Sequence, residues 1–172
     1  VKDGTNDGWP PVKDLKIFQL YEWASKIKGF KEAAPSTPLG NAYGAFSYIM
    51  GDLGASRASL IWALMALEAL YCKGSIGLKQ QLVEKSEILL GSRKSHKKKF
   101  GNMYDYRSRL VHGDINIVFR HHIYDASVEQ ERFDGEYHQA ESIALAVLIS
   151  TFQIMCERNL YSLDFEYVLK SS

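Results

Sequence analysis

Apolar residues recur along this chain mostly at helical spacings of three and four, in stretches punctuated by glycine and proline. The first such stretch runs over residues 12–30, with Val12, Leu15, Ile17, Phe18, Tyr21, Trp23 and Ile27 as its apolar positions and Gly29 as its stop. Residues 1–11 ahead of it are polar and turn-rich and read as a leader, and residues 31–44, with two prolines and two glycines, read as a loop. A short broken helix is expected over 45–54. The strongest helix spans 56–73; Ser56 caps it, Gly74 follows it, and it is apolar on nearly every face, so it belongs at the centre. Residues 76–90 form an amphipathic helix with Leu78, Leu82, Ile88 and Leu89 inward and Gly91 at its end. Residues 93–111 carry Phe100, Met103, Tyr104, Tyr106, Leu110 and Val111 on a helix with a basic first half, and Gly113 suits its C-terminal cap. Residues 114–135 read as irregular, with INIVF as a short extended piece. A long helix follows over 136–159, then a short terminal element over 160–170. Strand and helix patterns do not alternate. The pattern predicts an all-α, up-and-down bundle of about four to six helices, with residues 1–44 as leader and first helix and residues 45–172 as the helical domain proper.

Composition sharpens this picture. A chain of 172 residues that is 46% hydrophobic can bury one substantial core. The net charge of +1 hides a division: residues 91–112 hold seven Lys/Arg against one Asp, whereas residues 125–141 hold six Asp/Glu against one Arg. Cys72 and Cys156 both fall in apolar helical patterns, which suits buried thiols in a reducing, cytoplasmic setting better than a disulfide framework. No signal peptide is evident. The apolar runs LIWALMALEALYC and SIALAVLISTFQIMC read as too short to span a membrane. The chain opens at Val1, which points to an excised domain with a further domain or protein partner beyond it.

Candidate chemistry is sparse. GDLGAS at 51–56 lacks the spacing of a phosphate-cradling loop and follows no strand, so no nucleotide cofactor is expected. His121, His122 and Asp125 lie close in sequence, but adjacent histidines diverge and no second ligand cluster accompanies them; a surface loop is the preferred reading and no metal is expected. No G-x-S-x-G occurs, and neither cysteine has the polar setting of a nucleophile. Glu68 is harder to dismiss, because a carboxylate within WALMALEALY costs several kcal/mol when buried unpaired. Either it reaches solvent at the bundle edge or it pairs with a cation on a neighbouring helix, Arg107 being the suggestive one. Arg93, Lys97, Lys98 and Lys99 make a solvated face or a phosphate-attracting one.

Arg107 and His112 stand five residues apart in YDYRSRLVHGD. On an ideal helix they diverge by about 140°, unless the terminal turn at Gly113 swings the imidazole back. A permanent cation beside a group that titrates near neutral pH suits in-line RNA cleavage, with histidine moving the proton and arginine holding charge on the phosphorane. The competing reading is structural, with His112 capping the helix and both arginines holding it in place.

The motif MYDYRSRLVHG resembles the R-x4–6-H motif of HEPN domains, and is most similar to the Apea-like HEPN group, in which a tyrosine precedes R-S-x-x-V-H-G. LIWALMALEALY resembles that group's apolar L-E-x-L helix, and LKQQLVEKSEILLG resembles the segment between the two. The order holds over about residues 56–113. The resemblance implies a helical bundle, commonly a homodimer whose two motifs form a composite, metal-independent ribonuclease site leaving 2′,3′-cyclic phosphate ends, in a defence or toxin-like system. It implies Arg107 and His112 as catalytic residues, with Glu68, Ser108 and Tyr104 supporting; on that reading the basic residues Arg109, Lys97, Lys98, Lys99 and Arg93 guide RNA electrostatically. It also allows a non-catalytic dimerisation or binding module serving a partner domain. A third reading is a structural bundle in which the basic segment pairs with a neighbour's 125–141 segment.

Overall fold

The computed structural model describes residues 9–31, 35–51, 58–91, 97–115 and 127–166, the side chains of 97, 129 and 130 excepted. Among these residues it is all-α, with six helices: α1 (Ile17–Ser25), α2 (Pro38–Gly51), α3 (Ser59–Tyr71), α4 (Leu78–Leu90), α5 (Lys97–His112) and α6 (Val128–Glu157). The expected bundle of four to six helices is therefore present at the upper end of its range.

Helices α3 and α6 are the two hubs. α3 packs against α2, α4, α5 and α6, while α6 also packs against α1, α4 and α5. Their sequences explain the role. In α3, Leu60, Ala63, Leu64, Ala66 and Leu67 are completely buried, and in α6 Ala144, Ala146, Val147, Leu148 and Met155 are as well. Small residues at several of these positions let neighbouring helices approach closely. The Glu131–Glu157 stretch of α6 is long and apolar enough to cross a bilayer by length and composition, contrary to the expectation that no segment reaches that length. In this fold 61% of its apolar window is buried inside the bundle.

Several boundaries differ from the sequence pattern. The segment 31–44 is not all loop: α2 begins at Pro38, because proline is well suited to the first helical position, where its missing N–H costs nothing. Thr37 caps the helix, its Oγ1 accepting the Gly40 N–H at 3.0 Å. The division between residues 44 and 45 thus falls inside α2. Likewise α6 starts at Val128, within the supposedly irregular 114–135 segment. Phe133, Tyr137 and Ala140 are buried at helical spacing, and Arg132 pairs with Glu136 one turn on at 3.0 Å. INIVF beyond Ile115, and the Ser56 cap, lie outside the described residues.

The N-terminal segment is not a free leader from Trp9 onward. Trp9 is buried, Ser150 donates to the Pro11 carbonyl, and the Gln153 side chain pairs with both backbone groups of Lys13. α1 is shorter than the pattern suggested. Trp23, Ala24 and Ile27 face the core, while Ile17, Phe18 and Tyr21 are exposed. In α4 the inward face is Leu82, Lys85, Ser86 and Leu90, and Ile88 points outward. Six steps from the Leu82 anchor rotate Ile88 about 120° off the buried stripe. Residues 160–166 have no regular structure, but Leu160 accepts the Trp23 indole N–H at 3.1 Å and Leu163 and Phe165 pack on the core.

Removing the α2 cap tests this account of the boundary. Thr37→Ala is expected to lower stability by about 1 kcal/mol, or about 2–4 °C in Tm for a chain of this size. A thermal melt indistinguishable from wild type would show that Thr37 does not set the start of α2.

Candidate active site

The motif helix α5 ends where glycine permits a left-handed turn. Gly113 has φ +79°, and the Asp114 N–H reaches back to the Arg109 carbonyl at 2.8 Å. This closure satisfies an otherwise orphaned carbonyl and makes His112 the last helical residue. Arg109 and His112 lie in the last turn, where cations complement the negative end of the helix.

Three predicted residues meet between α3 and α5. The Tyr104 hydroxyl donates to Glu68 Oε1 at 2.9 Å. Arg107 Nη2 lies 3.8 Å from the same oxygen, and its guanidinium carbon is 5.9 Å from the Tyr104 ring centre. Glu68 and Arg107 are mostly covered, their side chains 18% and 23% exposed. The open choice for Glu68 is thereby decided in favour of pairing. At 3.8 Å the contact is electrostatic rather than a hydrogen bond. Arg107 Nε is buried and has no partner among the described residues, so the guanidinium is held in place without being saturated.

The other predicted residues are dispersed. His112 is exposed at the end of α5 and forms no hydrogen bond or ion pair among the described residues. The helix remains regular through that position, so the imidazole is not swung back to Arg107. Ser108 is partly buried, on a different side of α5 from Arg107. Arg109 turns toward α6, 4.0 Å from Glu136, and lines with Lys99, Asn102, Asp105, Glu136 and Gln139 a cavity of about 350 Å³. The basic and acidic segments therefore meet within one chain. Lys98 is exposed; Arg93 and the Lys97 side chain lie outside the described residues, as do His121, His122 and Asp125. Among the described residues no three His, Cys, Asp or Glu side chains come together as metal ligands.

Electrostatics around Glu68 keep its neighbours protonated. Burial, then the Glu68 carboxylate, pushes the Tyr104 phenol up to about 12, so it remains a donor at neutral pH. Cys72, one turn beyond Glu68, is pushed up to about 11 by burial and by Glu68, with Lys85 pulling the other way. Neither cysteine is disulfide-bonded, and this one is a poor nucleophile. Lys85 was missed by the sequence reading. It is buried, and its ammonium donates to the Tyr71 carbonyl and to Gln81 Oε1, both at 2.8 Å, 5.6 Å from the centre of the Phe165 ring. It closes the C-terminal end of the helix that carries Glu68. Its position on the Leu82 stripe was the available signal.

A double-mutant cycle on Glu68→Gln and Arg107→Gln is expected to give a coupling of about 1 kcal/mol, while the exposed Arg109–Glu136 pair gives close to none. Equal couplings would remove the distinction drawn here. Stability should also fall as pH rises from about 10 to 12. The folded chain holds the Tyr104 and Tyr137 protons up to about 12, and burial pushes Tyr71 upward too, whereas unfolded tyrosines release theirs near 10. Tyr104→Phe should make that loss less steep in denaturant titrations across pH; an unchanged slope would count against the buried phenol.

Against family models, curated proteins and solved structures alike, the chain gives no match, so its functional reading rests on its own residues and their geometry.

Proposed function

We propose that this chain is a HEPN-type, metal-independent endoribonuclease acting as a homodimer, in a defence or toxin-like system. The observation that carries the reading is the partly satisfied Arg107, fixed by Glu68 and Tyr104 on the helix that ends in a solvent-open His112. A structural arginine is usually saturated by its partners. Here the guanidinium makes only the 3.8 Å contact to Glu68 while its side chain stays 23% exposed, which leaves terminal N–H groups for a phosphate oxygen.

The reaction moves two protons. The ribose 2′-oxygen attacks the adjacent phosphorus as a base takes its proton, and the bond from phosphorus to the 5′-oxygen breaks as an acid protonates that oxygen. The products are a 2′,3′-cyclic phosphate and a 5′-hydroxyl. His112 performs one transfer, and the same residue of a second copy performs the other. Arg107 holds the charge that accumulates on the non-bridging oxygens. Glu68 and Tyr104 act through Arg107 and position it. Val111, 53% exposed beside His112, offers the second copy an apolar contact at the end of the helix.

One observation favours a second reading. Arg107 and His112 do not touch within a protomer and diverge around α5, as suits a phosphate-binding or dimerisation module that does no chemistry. Cleavage decides between the two. With end-labelled single-stranded RNA in EDTA, wild type should yield cyclic-phosphate ends, and His112→Ala should be slower by about 10²–10⁴-fold at matched circular dichroism. Arg107→Lys should also lose activity, because an ammonium lacks the planar fork. A folded dimer that binds RNA but leaves it intact would establish the binding module instead.

A further inference from the structure

On the side of α3 next to Glu68, a groove of about 710 Å³ opens between the 26–31 turn, α2 and α3. That volume lies in the range of ligand clefts, roughly 300–1,000 Å³. Its most distinctive feature is aromatic. Tyr48 of α2 stacks on Trp62 of α3, centroids 4.7 Å apart and planes 13° from parallel, yet Tyr48 remains 61% exposed. One ring face is thus covered by Trp62 while much of the residue is open. Phe30 and Tyr43 add a second ring pair to the groove wall, 5.6 Å apart.

The lining contains no charged residue, but lysines adjoin it in the chain. Ile27, Gly29 and Phe30 line the groove, and the flanking residues Lys26, Lys28 and Lys31 are exposed with no ion pair among the described residues. Gly40 lets this turn approach α2. A Cβ there would lie 2.8 Å from Pro35 Cβ and 3.3 Å from the Lys28 carbonyl. The groove and the candidate active site share α3. Trp62, Met65 and Glu68 follow one another at three-residue spacing, and Met65, 46% exposed, both lines the groove and neighbours the carboxylate that holds Arg107.

Open ring faces within an uncharged groove, edged by unpaired lysines, match the chemistry of single-stranded nucleic acid, whose bases stack while its phosphates seek cations. We propose that this groove is a stacking subsite for unpaired RNA bases flanking the scissile phosphate, with Tyr48 and Trp62 as the platform and Lys26, Lys28 and Lys31 meeting the backbone. The inference rests on the ribonuclease reading for its choice of ligand. It assigns the groove a specificity role, favouring single-stranded over duplex RNA, because only unpaired bases present free faces.

The test uses the full chain and an uncleavable 2′-O-methyl RNA of about ten nucleotides. Wild type should bind it with quenching of tryptophan fluorescence, and Trp62→Phe should remove most of the quenching. Tyr48→Ala should raise Kd about tenfold. Gly44→Leu should do the same by filling the groove, since a Cβ there meets nothing nearer than Pro35 Cγ at 3.9 Å. Lys28→Glu should weaken binding and flatten its salt dependence. On cleavable RNA, Tyr48→Ala should raise KM and leave kcat unchanged. Tyr48→Ala and Gly44→Leu proteins that bind the oligonucleotide like wild type would overturn the subsite, even where wild type cleaves RNA. Groove-dependent binding by a chain that cleaves nothing would sustain the subsite and remove the ribonuclease reading. Failure of wild type to bind, with the groove instead taking up an apolar peptide helix, would overturn it in favour of a protein-docking face.

Discussion

The carboxylate of Glu68 sits in the helix with the least freedom to leave the core. Its neighbours Ala66 and Leu67 are completely buried, so the charge is carried to the α3–α5 seam and must find its partners there. Tyr104 supplies a hydrogen bond and Arg107 a positive charge. That requirement fixes the rotation of α5, because both partners lie three residues apart on its inward side. The same rotation turns Arg109 toward the acidic start of α6. One desolvated charge thus sets which side of the basic helix is spent on packing and which remains for solvent.

Charge placement elsewhere follows the same economy of burial. Lys85, more deeply enclosed than Glu68, does not oppose it directly; it binds the last carbonyl of α3 and a glutamine one turn back on its own helix. A buried ammonium at the negative end of a helix is compensated by backbone dipoles as well as by side chains. Between them, Glu68 and Lys85 bracket the C-terminal half of α3, and Cys72 experiences both in opposite senses. The basic 91–112 and acidic 125–141 segments meet within the chain at the exposed Arg109–Glu136 contact.

What could be read from the sequence follows from which forces act locally. The central helices were legible because α3 and α6 are apolar over several turns, and glycine stops such as Gly113 carry their own backbone logic. The Glu68–Arg107 pairing was legible as a cost that demanded compensation. The start of α2 was not, because Pro38 and Gly40 read as breakers until Thr37 is recognised as a cap. The early start of α6 was hidden by its polar first turns, whose support comes from Phe133 and Tyr137 packing into the core. The outward apolar residues of α1 show the limit from the other side: periodicity announced a helix over 12–30, of which Ile17–Ser25 is helical, but Trp23, through its bond to Leu160, decides which face turns inward. The groove at Tyr48 and Trp62 could not be seen at all, since it depends on two helices and a turn meeting.

The regularity of α5 through His112 bears on how the proposed chemistry would be assembled. A helix continuous to its last residue holds Arg107 and His112 on different bearings, about 140° apart. Within one protomer, Arg107 is pinned toward α3 and His112 stands at the solvent-facing tip. A single chain therefore offers one anchored cation and one exposed imidazole, too few for the proposed reaction, which needs both a base and an acid. Two-fold symmetry at the helix tips would bring two imidazoles together while each arginine stayed fixed by its own Glu68. Dimerisation would then complete the proton inventory, and the Glu68 carboxylate would keep the electrostatic half of the site in place in either state.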